Sequence, residues 1–218
     1  MKKEESLHIL IADDHGVVRY GVMLLIKELY PTAILHQAAT FNEALKTIRN
    51  QHVDLLILDI NIAGGNNVQM LHVVKVLQED LKVLMFSAYS EELYALRYIQ
   101  AEANGYLHKD STEQEIKKAI TVVLSGKTYV SEAIKDSLIN TVFGGSVFAN
   151  NLDTLSNREL EVARLLAEGS GVSEISATLN LHISTISTYK IRVFEKLGIK
   201  NIAELIRAFD GCKKATIN

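Results

Sequence analysis

Between residues 8 and 125 the chain alternates short apolar runs with amphipathic stretches, and this alternation constrains the fold more than any other feature. Apolar, largely branched runs cover residues 8–12, 33–36, 55–58, 83–86 and 105–107. Near-continuous apolarity over so few residues suits strands covered on both faces, and hence a parallel sheet. Between the runs lie helical repeats: Val18, Val22, Leu25, Ile26 and Leu29 in one, Leu93, Leu96 and Ile99 in another. Thr40-x-x-Glu43 and Thr112-x-x-Glu115 read as capping boxes, the second opening a helix to Leu124. Five strands alternating with helices predict a doubly wound α/β domain with a five-stranded parallel sheet over residues 1–127.

The pattern then changes. Residues 128–153 read as a linker with a partial helix at 131–142, followed by Gly144, Gly145, Ser146, Asn150 and Asn151. From residue 154 to 218 the period is helical only. Ser156-x-x-Glu159 opens a helix that ends near Gly169, a short helix covers 172–179, a longer one runs from the turn at 180–182 to Gly198, and Asn201-x-x-Glu204 caps the last. This predicts an all-α, four-helix domain. No apolar run approaches the ~18 residues of a membrane span. The charged start, Met1 to Glu5, has no apolar stretch behind it, so the expected address is cytoplasmic. One cysteine, Cys212, excludes an intrachain disulfide and a cysteine-based zinc site.

The chemistry concentrates at strand ends. Asp13 and Asp14 follow the first strand, Asp59 the third, Ser87 the fourth and Lys109 the fifth. In an open α/β sheet, those ends form the ligand crevice where the strand order reverses. Taken singly, each residue has an ordinary explanation; Asp14, for example, is placed to cap a helix. Together they are complementary. Three adjacent carboxylates repel one another and call for a hard, oxygen-seeking cation, Mg²⁺. An aspartate can attack phosphorus, with a lysine charge and a serine hydroxyl to meet the phosphoryl oxygens.

The run Ile11-Ala12-Asp13-Asp14-His15-Gly16-Val17-Val18-Arg19-Tyr20-Gly21, with Leu58-Asp59, Ser87-Ala88 and Gly105-Tyr106-Leu107-His108-Lys109-Asp110, resembles a flavodoxin-like receiver domain of the NarL/FixJ type over about residues 7–125. The resemblance implies that Asp59 is the phosphoacceptor for a histidine kinase. It implies that Asp13, Asp14, Asp59 and the backbone carbonyl of Asn61 hold Mg²⁺, that Lys109 pairs with phosphoryl oxygens, and that Ser87 and Tyr106 form the switch pair. One position departs from the family: Ala63 stands where proline is usual, followed by Gly64 and Gly65. Without proline's fixed φ, a looser loop and an altered phosphorylation lifetime are expected.

In the helical domain, the helices over 172–179 and 182–196 fit a helix-turn-helix. Ile186, Tyr189, Val193 and Leu197 share one face of the second helix, and Ser184, Ser187, Thr188, Ile191, Arg192 and Glu195 the other. Lys190, Arg192, Lys196 and Lys200 offer charge for phosphates, although a small bundle with a solvated polar face has the same pattern. Leu155-Ser156-Asn157-Arg158-Glu159-Leu160-Glu161-Val162, Ser184-Thr185-Ile186-Ser187-Thr188-Tyr189 and Lys196-Leu197-Gly198-Ile199 resemble a LuxR-type DNA-binding domain over about 152–210. The resemblance implies double-stranded DNA contacts through Ser184, Ser187, Thr188, Lys190, Ile191 and Arg192. It also implies dimerisation through the last helix, whose apolar set is Ile202, Leu205, Ile206 and Phe209; burial within a monomer has the same spacing. Ser187 and Tyr189 replace the family's usual basic residue and histidine. His182 occupies the usual cap position, leaving Ser184 as the expected cap. Fewer cations predict a shallow salt dependence.

The whole reading is a two-component response regulator, not an enzyme, that dimerises on phosphorylation and binds DNA. Two alternatives are a phosphorylation-independent DNA-binding regulator, with the receiver as a dimerisation module, and a Mg²⁺-dependent aspartyl-phosphate phosphotransferase. The net charge of -3 averages over unlike halves: residues 154–218 carry 9 Lys and Arg against 7 Asp and Glu, while residues 1–130 carry 13 against 16.

Overall fold

A computed structural model describes residues 6–132, 134, 135, 152 and 154–214, with side chains of the last helix described through Phe209. The chain divides into two compact units, 1–135 and 136–218.

The first unit alternates strands and helices as the sequence predicts: β1 (His8–Ala12), α1 (Gly16–Leu29), β2 (Ile34–Ala38), α2 (Phe41–Asn50), β3 (Leu55–Leu58), α3 (Gln69–Leu77), β4 (Lys82–Ser87), α4 (Glu91–Gln100), β5 (Gly105–His108) and α5 (Glu113–Leu124). All strand pairs are parallel, in the order β2-β1-β3-β4-β5. The chain leaves β1 for β2 on one side and returns to β3 on the other, so the crevice opens above β1 and β3. On one face α1 and α5 pack together over Ile9, Ile11, Ile57, Leu84 and Leu107. β1 and β3 are buried almost throughout, whereas the edge strand β2 leaves Ile34 and Gln37 exposed.

Three local features depart from expectation. Helix α4 buries Tyr94, Ala95 and Tyr98, and leaves Leu93, Leu96 and Ile99 only partly covered. Aromatic contacts set this choice, since Tyr94 stacks on Tyr89 and Tyr98 tilts against Tyr106. Of the two predicted capping boxes, Thr112–Glu115 is complete. Thr40 accepts from the Glu43 amide, but the Glu43 carboxylate turns to the amide of Ala39. Finally, the unit extends beyond residue 127. Tyr129 pairs with Gly105, exchanging backbone bonds with Tyr106 and Asn104, and Tyr129, Val130 and Ile134 are buried. A Cβ at Gly105 would meet Leu84 at 2.9 Å and the Tyr129 carbonyl at 3.0 Å, so glycine allows this close return. Most of the helix expected over 131–142, and the rest of the linker, lies outside the described residues.

The second unit has α6 (Asn157–Ala167), α7 (Val172–Leu179), α8 (Ile183–Leu197) and α9 (Ile202–Lys214). Ser156 and Glu159 form a full capping box. Helices α7 and α8 end in left-handed residues, Asn180 and Gly198, as a C-cap requires. Leu160, Val162, Ala163, Leu165, Leu166, Ile175, Ile186, Val193, Leu205 and Phe209 are the buried apolar residues of the four helices. The apolar set of α9 splits: Leu205 and Phe209 are buried, while Ile202 and Ile206 are each 37% exposed. Among the described residues no helix is long and apolar enough to cross a membrane.

Candidate functional site

The first site grows from the switch point. Asp59 is placed by its amide, which donates to the Ala12 carbonyl at 2.8 Å, and Asp13 by its amide on the Ala38 carbonyl at 3.1 Å. Each carboxylate therefore sits directly at a strand end, and both are buried. The Lys109 amide donates to the Ser87 carbonyl, which fixes the end of β5 against β4. The Lys109 ammonium then lies 2.7 Å from Asp13 Oδ2 and 3.1 Å from Asp59 Oδ2. The structure thus brings Asp13, Asp59, Lys109 and Ser87 together, as the sequence predicts.

Two buried carboxylates share one ammonium, and the electrostatics show it. Burial is the largest influence on Asp59 and pushes its carboxyl up; Lys109 pulls it down, Asp13 pushes it up, and the net result is a raised pKa. Burial alone would depress the Lys109 ammonium, but the two carboxylates outweigh it and raise it. Lys109 is therefore a fixed positive charge. Asp13 Oδ2 is buried and makes no directed hydrogen bond, so the Lys109 charge is its only compensation among the described residues.

Asp14 is exposed and does not cap α1. The N-cap is His15, without a side-chain cap, and His15 Nδ1 lies 2.6 Å from Asp14 Oδ1 and 3.1 Å from Asp13 Oδ1. Ligand atoms of Asp13, Asp14, His15 and Asp59 all fall within 4.8 Å of one another. A donor set rich in carboxylate oxygen, with one buried oxygen lacking a directed partner, fits a hard divalent cation.

Asn61 and Tyr106 converge on a residue that sequence reasoning passed over, Tyr89. Its hydroxyl exchanges hydrogen bonds with the Asn61 side-chain amide at 2.9 and 3.0 Å. Its amide donates to Ser87 Oγ at 3.1 Å, and its carbonyl accepts from the Tyr106 hydroxyl at 2.9 Å. Tyr106 is fully buried, and burial drives its phenol far above the ordinary value. Tyr89 thus ties the loop after β3, the Ser87 hydroxyl and the Tyr106 ring together. Its only sequence signal is an aromatic two residues past Ser87, between the small residues Ala88 and Ser90. The Ala63 loop is tied at two points, where Phe41 N–H donates to the Ala63 carbonyl at 2.9 Å and Gly65 N–H to the Ile62 carbonyl at 3.0 Å. Backbone bonds there do part of the work proline's ring does elsewhere.

The second site is α8. Ile186 and Val193 are buried and Tyr189 and Leu197 half-buried, so the predicted packing face is correct. Ser184, Thr188, Ile191 and Arg192 are exposed, and Ser187 partly so. Three expectations change. Ser184 lies inside the helix, the N-cap is His182, and no side chain caps it. Lys190 lies to the side, its ammonium 5.6 Å from the Phe194 ring centroid. Lys196 is not free for phosphate: its ammonium donates to Glu159 Oε2 at 2.6 Å and to the Thr154 carbonyl at 3.3 Å. Burial would raise the Glu159 carboxyl, but Lys196 and the Ser156 amide and hydroxyl outweigh it and lower it.

Comparison with known proteins decides the family. The response regulator receiver domain model matches residues 9–121, and the model of bacterial regulatory proteins of the luxR family matches residues 153–209. The chain belongs to the NarL/FixJ-type response regulators. This regulator is 34% identical over 200 residues to the Fimbriae Z protein of Salmonella typhimurium, covering 91% of this chain and 93% of that one. It is 29% identical over 199 residues to Response regulator UvrY of Escherichia coli K12, covering 91% of each. Among solved structures it resembles RcsB from Salmonella enterica serovar Typhimurium bound to promoter rprA in the presence of a phosphomimetic, with TM-score 0.60 and 23% identity over 94% of this chain and 99% of that one. The last likeness is one of fold. The chain is accordingly a two-component response regulator with a receiver and a LuxR-type DNA-binding domain, a family of transcription regulators.

Proposed function

We propose that Asp59 accepts a phosphoryl group from a histidine kinase, and that this modification switches dimerisation and sequence-specific binding of double-stranded DNA. The observation that carries the reading is the buried Asp59 carboxylate at the switch point, sharing Lys109 with Asp13, while Tyr89 joins Asn61, two residues further on, to Ser87 and Tyr106. In the transfer, an Asp59 oxygen attacks phosphorus and the phosphorus–nitrogen bond of the phosphohistidine breaks. The imidazole nitrogen leaves with the electron pair and takes up a proton. Asp13, Asp14, Asp59 and the Asn61 carbonyl are the residues suited to hold Mg²⁺, which would neutralise the phosphoryl oxygens. Lys109 shifts from the carboxylates to the new dianion.

Ser87 supplies the response. Its hydroxyl oxygen now accepts from the Tyr89 amide; turning toward the phosphoryl group breaks that bond and frees Tyr89 and Tyr106 to repack. In the second domain, Ser184, Ser187, Thr188, Ile191 and Arg192 form the DNA-facing side of α8, with Lys190 at its flank. Ile202 and Ile206 are the exposed apolar pair through which two copies would dimerise on a two-fold site.

Acetyl phosphate with Mg²⁺ tests this on the full chain. Intact mass should rise by one phosphoryl group, light scattering should show a dimer, and Asp59→Ala should do neither. Absence of the mass gain, or equal DNA binding by wild type and Asp59→Ala under phosphorylating conditions, assigns the receiver to a phosphorylation-independent dimerisation role. Multiple turnover on a small phosphate ester would favour a phosphotransferase.

A further inference from the structure

We infer that α8 selects its DNA site chiefly by apolar contact with thymine methyl groups, through Ile191 and Thr188. The inference rests on the proposed DNA binding by α8 and goes beyond it to the bases read. The central stripe of the exposed face is Ser184, Thr188, Ile191 and Glu195, with Ser187 and Arg192 on its two flanks. Recognition of adenine by paired hydrogen bonds calls for Asn or Gln, and recognition of guanine for Arg or Lys. None of these lies on the stripe.

Two of the three hydroxyl groups are also committed. Ser187 Oγ donates to the Ile183 carbonyl at 3.0 Å, and Thr188 Oγ1 donates to the Ser184 carbonyl at 2.9 Å. With its one hydrogen turned to the helix, the Thr188 hydroxyl has none left for a base acceptor, and its Cγ2 methyl is the part of the side chain the helix does not engage. One turn further on, Ile191 is 58% exposed. A single exposed aliphatic on a protein surface is ordinary. This one occupies the centre of a reading face on which the Ser187 and Thr188 hydroxyl hydrogens are turned back to the helix. Nearby cations do not replace them. Lys190 lies against Phe194, Lys196 is held by Glu159, and Glu195 brings negative charge to the far end of the stripe. Beyond the small Ser184 hydroxyl, what remains on the stripe to meet a base edge in the first turns of α8 is a pair of apolar groups, and the apolar group that the major groove displays is the C5-methyl of thymine. Of the stripe and its two flanks, Arg192 supplies the cation, for one guanine or phosphate.

The experiment selects duplexes from a random pool with the full-length chain, with and without acetyl phosphate and Mg²⁺, and then replaces each thymine of the selected site by uracil. Uracil keeps every hydrogen bond and removes only the methyl. Binding should fall by about fourfold at each of two or so thymines per half-site, the weight of one buried methyl. Ile191→Ala should weaken binding and abolish the uracil effect at one of these positions, while Ile191→Val keeps most of both. At the other position, Thr188→Ser should behave as a methyl loss and Thr188→Val as near wild type. Both side chains are exposed, so these variants keep the fold. A selected site indifferent to uracil, or equally sensitive in wild type and Ile191→Ala, overturns methyl reading and leaves DNA binding intact. Failure to select any sequence overturns the DNA-binding reading itself, and this inference with it.

Discussion

Asp59 and Glu159 are both carboxylates with almost no exposure, yet the two domains treat them in opposite ways. Glu159 accepts hydrogen bonds from the Ser156 amide and from Lys196, and its pKa is lowered. Asp59 shares its ammonium with Asp13, leaves a neighbouring buried oxygen without a directed bond, and has its pKa raised. The first is a strut between α6 and α8, with its charge answered inside the protein. The second is under-compensated, which costs stability and leaves the site ready for charge from outside.

The largest expected effect separates these roles. Lys109→Ala removes the ammonium that Asp13 and Asp59 share, while the His15 contacts of Asp13 remain, and should cost the receiver about 3 kcal/mol, typical of breaking a buried pair; added Mg²⁺ should restore most of it. Lys196→Ala should cost the second domain less, about 2 kcal/mol, because Lys196 is itself 40% exposed. Mg²⁺ should not restore that loss. Urea unfolding followed by circular dichroism, with and without Mg²⁺, reads both, and an equal Mg²⁺ response in the two variants would dissolve the distinction.

A smaller effect follows from the opposite pKa directions. Asp59→Asn removes the penalised charge and should stabilise the receiver at neutral pH by about 1 kcal/mol. The folded-state pKa of Asp59 lies above its unfolded value, so protonation relieves the wild type as pH falls through the folded value. The gap between wild type and variant should close on acidification. For Glu159 the sign reverses: its stabilisation is present above the ordinary value of 4.5 and is lost as pH falls through the lowered folded value. Thermal unfolding of wild type, Asp59→Asn and Glu159→Gln between pH 7 and the acid limit checks this, and parallel curves would contradict it.

The smallest effects concern the helix starts. Thr112→Ala and Ser156→Ala each break a complete capping box and should cost about 1 kcal/mol. Thr40→Ala should cost less than Thr112→Ala, since the Thr112 hydroxyl also donates to Glu115 Oε2 at 2.9 Å whereas the Glu43 carboxylate bonds the Ala39 amide. A loss at Thr40 equal to that at Thr112 would mean that the hydroxyl–carboxylate bond adds nothing.

Much of this protein was legible because local rules agree with the fold. Period and capping located every strand of the receiver and every helix but α3, and Gly169, Asn180 and Gly198 marked the breaks in the second domain. Asp13, Asp59, Ser87 and Lys109 were visible because each stands at a strand end, where a parallel sheet gathers residues distant in sequence. Tyr89 was not visible. Its role comes from four bonds to three residues, Asn61, Ser87 and Tyr106, and no spacing predicts such convergence. The face of α4 was misread for a similar reason: its leucines and isoleucine carry the better period, but the tyrosine rings find aromatic partners.

By itself, then, the sequence determined the two-domain division, the parallel sheet and the identity of the acidic cluster, all of which follow from periodicity and strand-end chemistry. Only the tertiary structure decided how charge is distributed among them. It committed Lys196 to Glu159 rather than to a phosphate, turned the Ser187 and Thr188 hydroxyls back to the helix, and carried Tyr129 to Gly105 past the expected domain edge. These are contests between partners that lie far apart along the chain or compete over one short bond. They are settled by which donor and acceptor are brought within about 3 Å, a quantity that exists only once the chain has folded.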